Sequence, residues 1–294
     1  MVSLTMLVYY NGRYLEKSAV AISPDDRGFL FADGVYDVIH SYQGNLFKCA
    51  EHLARLANGM SELRILGLDA SRLESVAQHL IAENKLETAN ALVYIQVTRG
   101  AVPRSHLFPP TGTPPTVYVQ AASFSPPIEQ QKNGASAILI PDQRWSRCNV
   151  KTISLLPNTL ACQQAHEAGA FEAILSRDGL LQEGSHSSIL FVERDLLVCP
   201  PLTNRVLPSI TRNVVVELAL AESIKVETRP CRETEVFKFD EVILLSTSAE
   251  IVPITSVNGQ KLRHGYVGPV TRQLQKAFKA LVTSNIVHQM EFNS

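Results

Sequence analysis

Two kinds of residue in this chain are suited to carbonyl chemistry: a lysine in apolar company and a glutamate at a turn. Arginines near short polar segments could serve the anionic ends of a reactant. The lysine is Lys151, in the stretch Arg144-Trp145-Ser146-Arg147-Cys148-Asn149-Val150-Lys151-Thr152, which holds the chain's single tryptophan and follows the apolar run 135–141. An ammonium group is costly to bury, so there it must pair, lose its proton or react. A desolvated lysine is a nucleophile for carbonyls and forms Schiff bases. A surface lysine at a strand end is the plainer alternative and, for a lone lysine, the commoner one.

Glu183-Gly184 falls between two strands, where a carboxylate can be aimed into a cleft. Arg104 and His106 are two apart; in an extended segment they point the same way and can address one carboxylate. Arg55 lies between Leu53 and Leu56, close to the apolar face of a helix. Ser209 is a good N-cap for the apolar helix that follows, and the free N–H groups of Ile210 and Thr211 would then form an anion site. Ser246, Thr247 and Ser248 put three hydroxyls in a row at a strand end, fit for phosphate oxygens. Each has a bland counterpart: a solvated basic loop, a turn glutamate in water, a snorkelling arginine, a plain capped helix, an ordinary turn.

The elements that must position these residues read as α+β. Residues 6–10 and 14–22 form a hairpin through Asn11-Gly12, a pair suited to a type I′ turn. Residues 23–28 are a turn cluster, and in the run 29–40 a strand would put Tyr36, Val38 and His40 on one face. Leu53, Leu56, Met60 and Leu63 recur at helical spacing within 49–66, stopped by Gly67. Ser71 to Glu74 fits a capping box opening a helix to about residue 84. Strands follow at 91–98 and 116–122. Residues 123–132, with Ser125-Pro126-Pro127, are the candidate linker between an N-terminal α/β domain, 1–122, and a C-terminal domain, 133–294. The second half alternates strands with helices at 158–168, 210–223 and 266–282, and the last dozen residues read as frayed.

Composition narrows the class. With 294 residues, 45% hydrophobic and 19% charged, the chain is an ordinary globular protein. A net charge of −1 gives no sign of a nucleic-acid or anionic-membrane partner. The five cysteines lack a C-x-x-C pair and read as reduced thiols. No secretory leader and no run of bilayer length is apparent, so a cytoplasmic protein is expected. No metal-ligand spacing occurs.

Together the signals fit one cofactor, pyridoxal 5'-phosphate: its aldehyde needs an amine, its pyridine nitrogen an anion, and its phosphate N–H donors, hydroxyls and a cation. The chain resembles the fold-type IV pyridoxal-phosphate enzymes and, within them, the bacterial D-amino acid aminotransferases. The resemblance spans residues 8–278. It is carried by Asp26-Arg27-Gly28, Ala32-Asp33-Gly34-Val35-Tyr36, Glu51-His52 with Arg55, Val97-Thr98-Arg99-Gly100 and Pro103-Arg104-Ser105-His106. It continues through Arg144-Trp145, Arg147-Cys148 and Lys151, Glu183-Gly184-Ser185, Ile210-Thr211-Arg212, Ser246-Thr247 and Glu250-Ile251.

The resemblance implies a two-domain fold with the cofactor between the domains. It implies Lys151 as the Schiff-base lysine and proton carrier, and Glu183 as partner of the pyridine nitrogen. Arg55, Ile210, Thr211, Ser246 and Thr247 would hold the phosphate, and Leu207 would pack on the ring. Tyr36, Arg104 and His106 would trap the substrate carboxylate, with the Arg and His supplied across a homodimer interface. The implied reaction is ping-pong transamination between D-alanine or D-glutamate and pyruvate or 2-oxoglutarate. A 4-amino-4-deoxychorismate lyase, a branched-chain L-amino acid aminotransferase and a non-enzymatic carrier are the other readings. Ala32, His186, Ser188 and Ala249 depart from the family pattern, and they bear on substrate range.

Overall fold

The computed structural model describes residues 6–263 and 265–292, with 287–292 described by backbone alone. Its contacts divide the chain into two compact units. The first holds residues up to Ser125, the segment Val150–Ser154 and the last helix from Asn285; the second holds Pro126–Asn149 and Leu155–Ser284.

In the first unit, β1 (Leu7–Tyr10) and β2 (Arg13–Glu16) form a hairpin, with Asn11 and Gly12 at φ 48° and 84° as a two-residue turn requires. β2 stops at Glu16 rather than running to residue 22, because it is an exposed edge with no core face to line. Next comes α1 (Arg27–Phe31), a short helix where a strand start was expected; Asp26 caps it by accepting the Gly28 N–H at 2.8 Å. β3 (Gly34–Tyr42), β4 (Asn45–Leu46), α2 (Cys49–Glu62), α3 (Leu73–Glu83), β5 (Asn90–Thr98) and β6 (Thr116–Ser123) complete the unit. The sheet order is β2-β1-β6-β5-β3-β4, antiparallel throughout.

Alternate residues of the three central strands face the helices: Val35 and Ile39, then Val93, Ile95 and Val97, then Val117 and Val119. They meet Leu53, Leu56 and Met60 of α2 and Leu73, Ala77 and Leu80 of α3, each large side chain contributing roughly 1.5–3 kcal/mol by burial. α2 ends at Glu62, short of Gly67. The Arg99 guanidinium collects the carbonyls of Leu63 at 2.7 Å and Arg64 at 2.9 Å, and Arg64 turns left-handed at φ 55°. Ahead of α3, the cap is Asp69, which accepts the Ser71 N–H at 3.1 Å and opens a 3-10 turn, so the expected Ser71 capping box does not form.

The second unit runs α4 (Ile128–Asn133), β7 (Ala135–Pro141), α5 (Leu156–Glu167), β8 (Glu172–Arg177), β9 (Leu180–Gly184), β10 (Ser188–Glu193), β11 (Leu196–Cys199) and α6 (Ile210–Ala221). It continues with β12 (Lys225–Thr228), β13 (Glu241–Ser246), β14 (Glu250–Val257), β15 (Gln260–Lys261) and α7 (Pro269–Phe292). The mixed sheet has the order β12-β11-β10-β13-β14-β7-β8-β9, with β15 on β14. Its main core joins Ile174, Ile189, Phe191, Val242, Leu244 and Val252 with Phe239, whose ring stacks on Phe191 at 4.3 Å. Ala161 and Ala165 seat α5 on Ala173 and Leu175.

α7 starts at Pro269, not near residue 266, because the buried Glu241 carboxylate collects the N–H groups of Val270 at 3.0 Å and Thr271 at 2.8 Å. It then continues to Phe292, so most of the segment read as frayed is helical; residues 293–294 lie outside the described residues. Among the described residues no helix is long and apolar enough to cross a membrane.

Candidate active site

Lys151 is tied to the first unit by its backbone. Its carbonyl accepts the Tyr36 N–H at 3.1 Å, the Ile153 N–H donates to the Gly34 carbonyl at 3.1 Å, and Val35 bridges Thr152. The segment thus extends β3 on an edge that β4 leaves open, with Val150 anchored in the core. The Lys151 Nζ lies 4.3 Å from the centroid of the Tyr36 ring, a cation–π arrangement. Among the described residues no carboxylate forms an ion pair with this amine. A half-buried amine on a fixed backbone, without a carboxylate partner, is available to a carbonyl carbon.

Asp37, next along β3, points to the opposite face, where it is fully buried. Arg55 of α2 donates to it from Nε at 2.9 Å and Nη2 at 2.7 Å, and His52 Nδ1 lies 2.7 Å from it. Burial opposes ionisation of Asp37, but the Arg55 charge and the hydrogen bonds from His52 and Arg55 outweigh it. The carboxyl is held well below the usual carboxylate range. Arg55 is therefore not a snorkelling side chain: a buried carboxylate fixes its orientation.

Arg104 and His106 stand exposed on the loop after β5. The Arg104 guanidinium lies 5.2 Å and the His106 ring 5.4 Å from the centroid of Phe31. They share one aromatic support, as their two-residue spacing leads one to expect.

In the second unit, Glu183 is buried in β9 and accepts hydrogen bonds from the Arg144 guanidinium and from the Leu207 N–H, the latter at 3.1 Å. Arg144 also grips Asp142 through Nε at 2.9 Å and Nη2 at 3.0 Å, and Arg177 joins the same carboxylate at 3.0 Å. Burial opposes ionisation of Asp142, yet the hydrogen bond and charge of Arg144 prevail and lower its pKa. The same two carboxylates raise the pKa of Arg144 against its burial. Glu183 thus has a permanent cationic partner, itself oriented by a second carboxylate.

At the start of α6 the Ser209 hydroxyl accepts the Arg212 N–H at 3.2 Å. The Ile210 and Thr211 N–H groups meet no acceptor among the described residues, at the positive end of a 12-residue helix. At the end of β13 the Ser246 hydroxyl accepts the Ala249 N–H at 2.9 Å and lies 3.4 Å from Ser248 Oγ, with Thr247 between them. Ser188, paired with Leu245 on the neighbouring strand, has a buried hydroxyl without a partner among the described residues. Amides and hydroxyls of this kind are the donors a phosphate requires.

Two supports escaped the sequence reading. Asp37 had a signal: it alternates with Val35 and Ile39, and a carboxylate on that face demands a cation. The Asp142–Arg144 clasp on Glu183 had none, since it joins the loop after β7 to a strand 39 positions further along the chain. Of the departures, His186 Nδ1 lies 3.1 Å from the buried Glu172, whose carboxylate also accepts from Ser185 and from Ser187 Oγ at 2.7 Å. Ala32 sits at φ 52°, a conformation that favours glycine. No group of three or more metal-ligating side chains occurs among the described residues.

The fold and these groups define a class. Residues 34–257 match the amino-transferase class IV family, and the chain belongs to that family. It is 39% identical over 280 residues to a D-alanine aminotransferase of Bacillus licheniformis, covering 95% of this chain and 98% of that protein. Among solved structures it is similar to the branched-chain amino acid aminotransferase of Escherichia coli, with a TM-score of 0.89 at 24% identity over 94% of each chain. It also superposes on a hypothetical aminotransferase from Mycobacterium tuberculosis in a PLP-bound form, with a TM-score of 0.80 at 20% identity over 92% of this chain and 98% of that one. At such identities the two structures speak for the fold.

Proposed function

We propose that this protein is a pyridoxal-phosphate-dependent D-amino acid aminotransferase, exchanging the amino group of D-alanine or D-glutamate for the oxo group of pyruvate or 2-oxoglutarate. The observation that carries the reading is Lys151: its backbone is fixed on β3, and its amine rests on Tyr36 with no carboxylate partner among the described residues. Relatives at this identity over nearly the whole chain support the D-amino acid assignment. When bound, pyridoxal phosphate supplies an aldehyde for the amino group and a protonated pyridine ring that withdraws electrons from the substrate Cα.

Each unit carries groups that suit that cofactor. Lys151 would hold it and would carry a proton to and from the substrate Cα. Glu183, kept in place by Arg144 and the Leu207 amide, would present a carboxylate to the pyridine nitrogen. Leu207 would pack on the ring. The Ile210 and Thr211 amides, the Thr211, Ser246 and Thr247 hydroxyls and Arg55 would hold the phosphate. Tyr36, Arg104 and His106 would bind the substrate carboxylate.

Arg104 and His106 rest on Phe31. The proposed assembly is a homodimer in which each chain lends this pair to the other's site, a role open to side chains that stand exposed on a loop. The proposed division is an N-terminal domain, 1–122, and a cofactor-binding domain, 133–294, joined by 123–132, although Val150–Ser154 and the last helix from Asn285 group with the first unit; the proposed compartment is the cytoplasm. The test is product analysis. D-Alanine should yield pyruvate only when an acceptor such as 2-oxoglutarate is supplied. Steady pyruvate release from 4-amino-4-deoxychorismate without acceptor, or activity confined to L-amino acids, would overturn the assignment.

A further inference from the structure

We infer that Arg27 is a positioning residue for the carboxylate-binding pair Arg104 and His106; this rests on the reading of that pair given above. Arg27 is buried in α1, yet its side chain serves the exposed loop after β5 and that loop's supports. Its Nη1 donates to the carbonyls of Ser105 at 2.6 Å and Leu107 at 3.1 Å, the two that flank His106. Its guanidinium lies 4.8 Å from the centroid of Phe31, the ring that supports both Arg104 and His106. Its Nε donates to Asp33 Oδ2 at 2.8 Å.

Asp33 in turn is gripped by Arg99 at 2.7 and 2.8 Å, and Arg99 stacks on Phe108 with 3.7 Å to the ring centroid. One half-buried carboxylate therefore holds two guanidiniums, and these fix the loop at 105, 107 and 108. The root of the loop is stapled as well: Arg27 N–H donates to the Gly100 carbonyl at 2.9 Å, and Thr98 Oγ1 donates to Asp26 at 3.0 Å. An exposed arginine and histidine would otherwise sample many rotamers and pay for ordering with each carboxylate bound. A lysine at position 27 keeps the charge but cannot reach Asp33 and two carbonyls at once.

The experiment compares Arg27→Lys with wild type and with Arg104→Ala, all as holoenzymes. Three quantities are read: kcat and KM for D-alanine, the calorimetric Kd of propionate (a carboxylate without an amine), and the reaction rate with ethylamine, an amine without a carboxylate. For Arg27→Lys the KM and the propionate Kd should rise about tenfold, as misplacing a positioned group does. The ethylamine rate, kcat and cofactor absorbance should stay near wild type. Equal loss with D-alanine and ethylamine would make Arg27 a general structural residue and overturn the inference, as would unchanged propionate binding.

If Arg104→Ala also leaves propionate binding intact, the carboxylate pair itself is misassigned and the inference falls with it. If Arg104→Ala weakens propionate binding and Arg27→Lys leaves it unchanged, the positioning inference alone falls. Should Arg27→Lys fail to fold, Phe31→Leu, at a half-buried position, takes its place: it should show the same split between carboxylate and amine, and its absence would overturn the inference.

Discussion

Replacing Asp37 with asparagine should destabilise the cofactor-free protein by about 2–4 kcal/mol. The carboxylate is fully buried and takes two hydrogen bonds from Arg55 and one from His52. Breaking a buried ion pair from one side costs roughly 3–5 kcal/mol, because the guanidinium left behind is desolvated and unpaired. The asparagine oxygen keeps one acceptor, which recovers about 1 kcal/mol. At roughly 2–4 °C per kcal/mol for a protein near this size, the melting point should fall by about 10 °C.

The pH dependence has a definite sign. Arg55 and His52 depress the Asp37 pKa in the folded state, so its contribution is whole above the unfolded value of about 3.9 and is lost as pH falls below it. The gap between wild type and variant should therefore narrow in acid. Trp145 lies in the other unit, so hydrogen exchange of the α2 and β3 amides is the better probe. Saturating pyridoxal phosphate should also narrow the gap, since its phosphate can take over Arg55. A loss below about 1 kcal/mol, or a gap that is constant down to acid pH, would refute this reasoning.

Other outcomes can be checked more briefly. Lys151→Ala should abolish transamination, yet still bind pyridoxal phosphate reversibly by equilibrium dialysis; turnover at the wild-type rate would sink the assignment. Glu241→Ala removes the acceptor for Val270 and Thr271 at the start of α7 and should cost about 2 kcal/mol in urea unfolding; a neutral result would contradict the capping role. Ala32→Gly relieves an alanine at φ 52° and should be neutral or stabilising by up to about 1 kcal/mol; a clear loss of stability would show that the Cβ makes contacts that matter.

Much of the fold was legible because its signals are local. Alternation in β5 and β6, the helical spacing of Leu53, Leu56 and Met60, and the Asn11-Gly12 turn all carry their own geometry. Boundaries slipped where a distant residue decides them, as Arg99 ends α2 and Glu241 starts α7, or where two nearby caps compete, as Asp69 displaces Ser71. The same division holds at the candidate site. Lys151, Glu183 and the Ser209 cap could be picked from residue type and neighbours. That residues 150–154 pack with the first unit, or that Arg144 clasps Glu183, depends on contacts between segments far apart in sequence, which no local pattern encodes.

The most direct test of the central claim is the absorbance spectrum of the holoenzyme mixed with D-alanine and, separately, with L-alanine, followed by borohydride reduction and peptide mapping of the unmixed sample. The expected result is a visible cofactor band that D-alanine alone bleaches, with the reduced cofactor on the peptide carrying Lys151. A band bleached by L-alanine alone would contradict the D-amino acid assignment, and label on any other lysine would contradict the site.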